Sequence, residues 1–379
     1  MVREWSKLNR CTSFQVNMKK RIDSIFGNLD EKLDGIIFYN STKPHVDLTF
    51  YYVTGLIEGE FEGSAALIYP DGKGKIMTSK LEEESAKKAG MPVTAIMKRD
   101  DRESWLKEEL KGMERIGVNS TELTYYAYMN LKEATDAEIV DISDAVIKAR
   151  NLKDEEELKR LRKACDIASK VADDIMDFIG PGIKEYELAA EISYRMKKLG
   201  ATGDAFDIIA SSGANSAEPH YTAGDRVLEK GDLVVLDFGA LYKRYVSDIT
   251  RTCVVGEATD KQKRIYDTVL KAQEAALEKI KPGVKGSSIH EAAAKIIDNT
   301  EFSGRFTHGL GHSIGLSVHD GSGLSPGVDI TLEPNMVYTV EPGIYLPGYG
   351  GVRIEDDIVV TKEGCEILTD ARKELVECG

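Results

Sequence analysis

Cysteine is sparse in this 379-residue chain, and its placement excludes more than its number does. The five residues Cys11, Cys165, Cys253, Cys365 and Cys378 are odd in count and never form a CxxC pair. A thiolate zinc site is therefore excluded, and a reducing compartment is the expectation. Long apolar runs are also lacking. Nothing approaches the roughly 20 residues needed to span a bilayer, and MVREWSKLNRCTSFQ at the start has no apolar core of signal-peptide length. No membrane partner is expected, the cytoplasm is the expected location, and the sequons at Asn40 and Asn119 read as chance matches. Positive charge is in deficit, with 50 Lys and Arg against 64 Asp and Glu and a formal net charge of −14. That balance argues against a nucleic-acid binder, whose affinity comes from cations displacing counterions. Clustered carboxylates are what divalent cations require, and part of the acidity is expected to serve that use.

What is present is ordinary for a globular protein: 42% hydrophobic and 30% charged residues. The length exceeds a usual single core, so two domains are expected, 1–148 and 149–379. From about Phe14 to Ala145, short apolar runs alternate with amphipathic stretches. IIFYN reads as a strand and AALIYPDGKGKIMTS as a hairpin turning at DGKG. LEEESAKKAG reads as a helix closed by Gly90, VTAIM as a strand, DRESWLKEELKG as a helix and RIGVN as a strand. TELTYYAYMNLKEA reads as a helix capped by Thr121. This is an α/β pattern with no GxGxxG, no P-loop and no ligand cluster.

The second domain begins near Lys153, with Asp154 as N-cap of the long amphipathic run EEELKRLRKACDIASKVADDIMDFI. The helix YELAAEISYRMKKLG follows. LVVLDFGAL, YVSDITRTCVV, MVYTVEPGIY and GVRIEDDIVV then read as strands. FIGPGIKEYELAAEI is echoed by KIKPGVKGSSIHEAAAKII, with Pro181 and Pro282 in matching places. An α+β domain with internal pseudo-twofold duplication is expected, its site at the junction of the halves.

Four acids interrupt the strand-like text: Asp237 in VVLDFGA, Asp248 in YVSDITRT, Glu341 in YTVEPGIY and Glu355 in GVRIEDDIVV. One such acid usually faces solvent from a sheet edge. Four in one domain need compensation, because an ionised carboxylate removed from water is costly unless a cation or dense hydrogen bonding receives it. HGLGHSIGLSVHD adds His308, His312 and His319, and EPHYTAG adds His220. Histidine is the commonest metal ligand, and the glycines at 309, 311 and 315 allow close backbone approach. His290 reads as surface. Tyr221 and Tyr338 read either as pocket lining or as core. Asp, Asp, His, Glu, Glu is an oxygen-rich set suited to Mn²⁺, Co²⁺ or Zn²⁺, and four carboxylates balance two dications. Arg353 stands two before Glu355, as a clamp on a metal carboxylate or as a plain cross-strand ion pair.

These segments resemble the motifs of the pita-bread metallopeptidases, a family that includes Xaa-Pro dipeptidase, Xaa-Pro aminopeptidase and methionine aminopeptidase. The resemblance covers about 150–379; the preceding domain is similar to the creatinase-type N-terminal domain of the proline-directed branch. It implies that Asp248 and Glu355 bridge two metal ions, Asp237 completes one shell, and His312 and Glu341 complete the other. It also implies that His319 contacts the substrate carbonyl and that His220 and His308 shape the pocket beyond the scissile bond. Glu341 would shuttle a proton to the leaving amine. The implied activity is Xaa-Pro dipeptide hydrolysis by a homodimer. Xaa-Pro aminopeptidase activity on longer peptides is the enzymatic alternative, and a non-catalytic binding scaffold the remote one. Methionine aminopeptidase normally lacks the large first domain, and a metal-free creatinase-like enzyme lacks the ligand set. One departure stands out: HDGSGLSPGVD has no arginine where many Xaa-Pro dipeptidases carry one after the histidine matching His319.

Overall fold

A computed structural model describes residues 17–379; Cys11, Phe14 and the leading segment MVREWSKLNRCTSFQ lie outside the described residues. The chain divides into two compact units between Ala149 and Arg150.

The first unit is built on a six-stranded sheet of β1 (Gly35–Tyr39), β2 (Ala65–Ile68), β3 (Gly74–Ser79), β4 (Val93–Ile96), β5 (Arg115–Val118) and β6 (Glu138–Asp141). Their order is β4-β3-β2-β1-β5-β6, with β2 antiparallel to both neighbours and the remaining pairs parallel. Helices α1 (Arg99–Glu109) and α2 (Tyr125–Ala134) bury Trp105, Leu106, Ala127 and Leu131 in one cluster with Ile37, Leu67 and Ile116 of the sheet. The cap of α2 is Thr124 rather than Thr121. Thr124 Oγ1 accepts from Ala127 N at 3.2 Å, while Thr121 Oγ1 donates to Asn119 Oδ1 at 2.9 Å. Both threonines satisfy the residue preference for a cap, and the choice falls to the one whose extended backbone precedes the first turn.

The second unit opens with α3 (Glu155–Asp174). Asp154 Oδ1 accepts from Glu157 N and Glu157 Oε2 accepts from Asp154 N, both at 2.9 Å, a reciprocal cap of two orphan donors. Leu158, Leu161, Cys165, Ala168 and Ala172 recur every three or four residues and form its buried stripe. Helix α4 (Glu185–Lys198) follows, then β7 (Ile209–Ser212), β8 (Leu233–Phe238) and β9 (Ile249–Val255), which form an antiparallel sheet. Helices α5 (Asp260–Lys279) and α6 (Gly286–Asp298) come next. They precede β10 (Gly311–His312), β11 (Val337–Val340), β12 (Gly343–Leu346), β13 (Gly350–Arg353), β14 (Asp356–Val360) and β15 (Val376–Cys378). β15 pairs parallel with β9.

The echo in the sequence corresponds to matched backbone contacts. Gly182 and Gly283 both take positive φ, +94° and +83°, a region open to glycine at little steric cost. Gly182 N donates to Leu228 O at 3.0 Å and Leu228 N to Ile183 O at 2.8 Å; Gly283 N donates to Leu332 O and Leu332 N to Val284 O, both at 2.9 Å. Each helix pair has its own core. Val171, Leu188 and Ile192 pack with Val234, Leu236 and Ile249 in the first half; Ile265, Val269 and Ile289 pack with Tyr338, Val340 and Ile358 in the second. Tyr338 thus belongs to the core. His290, read as surface, is only 9% exposed. Ile289, His290, Ala293 and Ile297 share the inner stripe of α6, and the His290 ring stacks on Phe306 with centroids 5.2 Å apart.

Candidate metal centre

Three of the four strand-like runs break where their acids fall. Asp248 lies between Tyr245–Val246 and β9, Glu341 between β11 and β12, and Glu355 between β13 and β14; Asp237 alone lies inside a strand, opposite Thr250. At each break the backbone leaves its ladder yet remains tied. Glu341 N donates to Leu310 O at 2.8 Å, Glu355 N to Thr250 O at 3.1 Å, and Asp248 N to Asp357 Oδ2 at 2.8 Å. His312 arrives on β10, where a Cβ on Gly311 would overlap Thr339 O; only glycine lets the two backbones meet there.

These groups converge on one cleft of about 610 Å³, within the usual range for a small-molecule site. Asp237, Asp248, His312, Glu341 and Glu355 line it, as do His220, His308, His319 and Arg353, with Phe206, Ile209 and Val318 as apolar wall. Ligand atoms of Asp248, His312 and Glu355 lie within 4.8 Å of one another. His312 Nε2 is 3.7 Å from Asp248 Oδ2 and 3.4 Å from Glu341 Oε1. Asp237 stands outside that tightest group, held by Arg353 Nη2 at 2.6 Å. Tyr221 and Tyr338 are not among the lining residues.

Arg353 is 2% exposed and does more than pair with one acid. Its Nη1 donates to Tyr345 Oη at 2.8 Å and to Pro219 O at 3.3 Å, and its Nε to Thr250 Oγ1 at 3.0 Å. Thr250 Oγ1 in turn donates to Glu355 Oε2 at 2.6 Å. Tyr345 Oη also meets His308 Nε2 at 2.8 Å. The hydroxyls of Thr250, Thr339 and Tyr345 escape a search for acids and histidines. Spacing gives a signal for two of them: Thr250 follows Asp248 by two residues, and Thr339 precedes Glu341 by two. The Thr339 hydroxyl donates to Glu341 Oε1 at 3.1 Å and accepts from His312 N at 3.0 Å.

Burial, and then mutual repulsion, pushes the carboxyls upward. Asp248 is held well above the usual carboxylate range by burial and by Glu355, Asp237, Asp357 and Glu341; Glu355 is raised by burial, Glu341 and Asp237. Glu341 is pushed to about 8 by burial, against the opposing pull of Arg353. Burial drops His308 and His312 to about 4, so both imidazoles are neutral at pH 7 and able to ligate. Asp237 Oδ1 and Asp248 Oδ1 are buried with no hydrogen-bond donor. Acceptors facing acceptors, without donors between them, suit a divalent cation, and oxygens with one imidazole are the donor set such ions take.

A pH effect follows for protein stripped of metal. Glu341 has its ordinary value of 4.5 when unfolded and about 8 when folded. Below 4.5 both states hold the proton and the group costs nothing. Between 4.5 and 8 the folded state retains a proton the unfolded state has lost, so stability falls with rising pH. Calorimetry of chelator-treated protein should show Tm dropping across that window and recovering when Mn²⁺ is added. A Tm indifferent to both would contradict the cluster.

Known proteins match along nearly the whole chain. The model of metallopeptidase family M24 matches residues 159–362, and that of the creatinase/prolidase N-terminal domain matches residues 29–152. Xaa-Pro dipeptidase of Pyrococcus furiosus is 38% identical over 361 residues, covering 95% of this chain and all of that protein. The solved structure of Xaa-Pro dipeptidase from Bacillus anthracis superposes with a TM-score of 0.87 at 40% identity, covering 95% of this chain and 100% of the other. That of X-Pro aminopeptidase from Thermotoga maritima gives 0.84 at 34% identity, covering 90% and 97%. No helix among the described residues is long and apolar enough to cross a membrane. With a creatinase-type domain followed by a pita-bread domain, this chain is a peptidase and belongs to metallopeptidase family M24.

Proposed function

We propose that this chain hydrolyses the peptide bond before proline in Xaa-Pro dipeptides, using two dications (Mn²⁺, Co²⁺ or Zn²⁺). The observation that carries the reading is the convergence of four carboxylates, three of them buried, and a neutral imidazole in one cleft. The names of the relatives supply the proline specificity. Asp248 and Glu355 would bridge the ions, Asp237 would complete one shell, and His312 and Glu341 the other. When bound, the ions acidify a water and polarise the scissile carbonyl.

The chain's own groups do the rest. Glu341 can take a proton from water and return it to the leaving amine. His319 stands exposed at the cleft, and in this reading it contacts the scissile carbonyl oxygen of the peptide. His220 and His308 bound the pocket for the residue after the scissile bond. Arg353 and Tyr345 keep Asp237 and His308 in place. In this reading residues 1–148 are the creatinase-type domain and 149–379 the catalytic domain of a cytoplasmic homodimer that acts on short proline-containing peptides.

One observation favours Xaa-Pro aminopeptidase activity on longer peptides as the second reading. Among the described residues Arg353 is the one Lys or Arg lining the cleft, and its guanidinium is engaged by Asp237, Tyr345, Thr250 and Pro219. A dipeptide's terminal carboxylate would need an anchor beyond that lining. Side-by-side assay of an Xaa-Pro dipeptide and an Xaa-Pro tripeptide with Mn²⁺ separates the readings. About a tenfold advantage in kcat/KM for the dipeptide, worth about 1.4 kcal/mol, is expected. The reverse ratio establishes the aminopeptidase. No cleavage of either with Mn²⁺, Co²⁺ or Zn²⁺ overturns both.

A further inference from the structure

We propose that Asp320, clamped by Arg150 and Lys153, is a positioning residue that aims His319 into the cleft. The proposal rests on the reading that His319 touches the substrate. His319 is exposed, and among the described residues its imidazole makes no hydrogen bond; its ring contact is with His312, centroids 4.3 Å apart and planes tilted by 43°. A side chain so free must be aimed through its backbone.

The next residue supplies the anchor. The Asp320 side chain is 2% exposed and receives Arg150 Nη2 and, at 3.4 Å, Lys153 Nζ, whose own side chain is fully buried. Lys153 Nζ also donates to Ser313 Oγ at 3.4 Å. The segment between Ser313 and Ser322 is closed on itself: Ser313 N donates to Ser322 O at 3.0 Å and Asp320 N to Ser313 O at 2.9 Å. Ser317 Oγ donates to His319 O at 2.7 Å. His319 therefore sits on a tied loop whose one buried charge is gripped by two cations from the start of the catalytic unit. Gly315 leaves room for that charge, since a Cβ there would overlap Asp320 Oδ2. A buried carboxylate with two buried cations fixes direction because neither side can relax into water.

The test is a double-mutant cycle on the full chain with Mn²⁺ and an Xaa-Pro peptide the parent cleaves, joined to hydrogen exchange. Asp320→Asn keeps the shape and removes the charge. It should lower kcat about 30-fold, with KM within about threefold and metal content unchanged. In a His319→Ala background the same change should cost less than about threefold, because the two residues act as one. Gly315→Ala, which displaces the carboxylate without removing it, should reproduce the single-variant loss. Amide exchange across 313–322 should quicken at least about tenfold in Asp320→Asn while α5 stays unchanged. Losses that multiply in the cycle, or exchange that does not move, overturn the proposal. If the parent cleaves no Xaa-Pro peptide, the functional reading fails instead, and the exchange measurement alone decides whether Asp320 anchors the segment.

Discussion

Asp248→Ala is expected to lower kcat/KM by about 10⁴-fold, roughly 5.5 kcal/mol of transition-state stabilisation, and to leave at most one dication per chain. Asp248 is 4% exposed, its ligand atom falls in the tight group with His312 and Glu355, and its backbone N–H is fixed by Asp357. Misfolding would imitate the loss of activity, but the sign of the stability change separates the two. With metal stripped, the folded parent must keep a proton on Asp248 that the unfolded chain has lost, and deleting the side chain removes that cost, so the variant should melt higher than the stripped parent. Metal analysis by emission spectroscopy, steady-state kinetics and calorimetry read the three quantities. A fully loaded, active variant would refute the bridging role.

The second large effect concerns stability. Arg353→Met should destabilise the folded chain by about 3–5 kcal/mol, because breaking a buried ion pair strands its partner, here Asp237. For a unit of this size that corresponds to a fall in Tm of roughly 10 °C. The guanidinium also satisfies Tyr345, Thr250 and Pro219 O, so Lys at this position restores the charge but not the fork of donors. Arg353→Met combined with Asp237→Asn should regain part of the stability and none of the activity. Equal destabilisation in single and double variants, followed by urea unfolding, would show that Asp237 is not what Arg353 compensates.

Much of this was legible in the sequence because buried acids are anomalous in apolar strands. Asp237, Asp248, Glu341 and Glu355 announce themselves by being in the wrong chemical company, and the glycine spacing around His312 marks a close backbone approach. The strand breaks were not legible. YVSDITRTCVV reads as one strand, yet it divides at Ser247-Asp248, where the Asp248 N–H leaves the ladder and donates to the Asp357 carboxylate from more than a hundred residues away. The helix Thr49–Thr54 is buried at all six residues and so shows no polar face, and Ser143–Asn151 is only nine residues long at the junction of the two units; neither was found. His290 was misread because a polar side chain next to Ile289 hides an inner stripe that the spacing of Ala293 and Ile297 reveals. Tyr345 was missed for another reason: its hydroxyl matters only through His308 and Arg353, 37 and 8 residues away, and neither spacing is one that a strand or helix pattern records.

The seam between the two helix-paired halves has a consequence for when cleavage can begin. Asp237 and Asp248 emerge from the ribosome well ahead of His312, Glu341 and Glu355, and β9 waits for residues 376–378 to lie beside it. A half-translated chain therefore holds two acids without the imidazole or the later glutamates. On the proposed ligand set, the order of synthesis itself withholds peptide hydrolysis from unfinished protein.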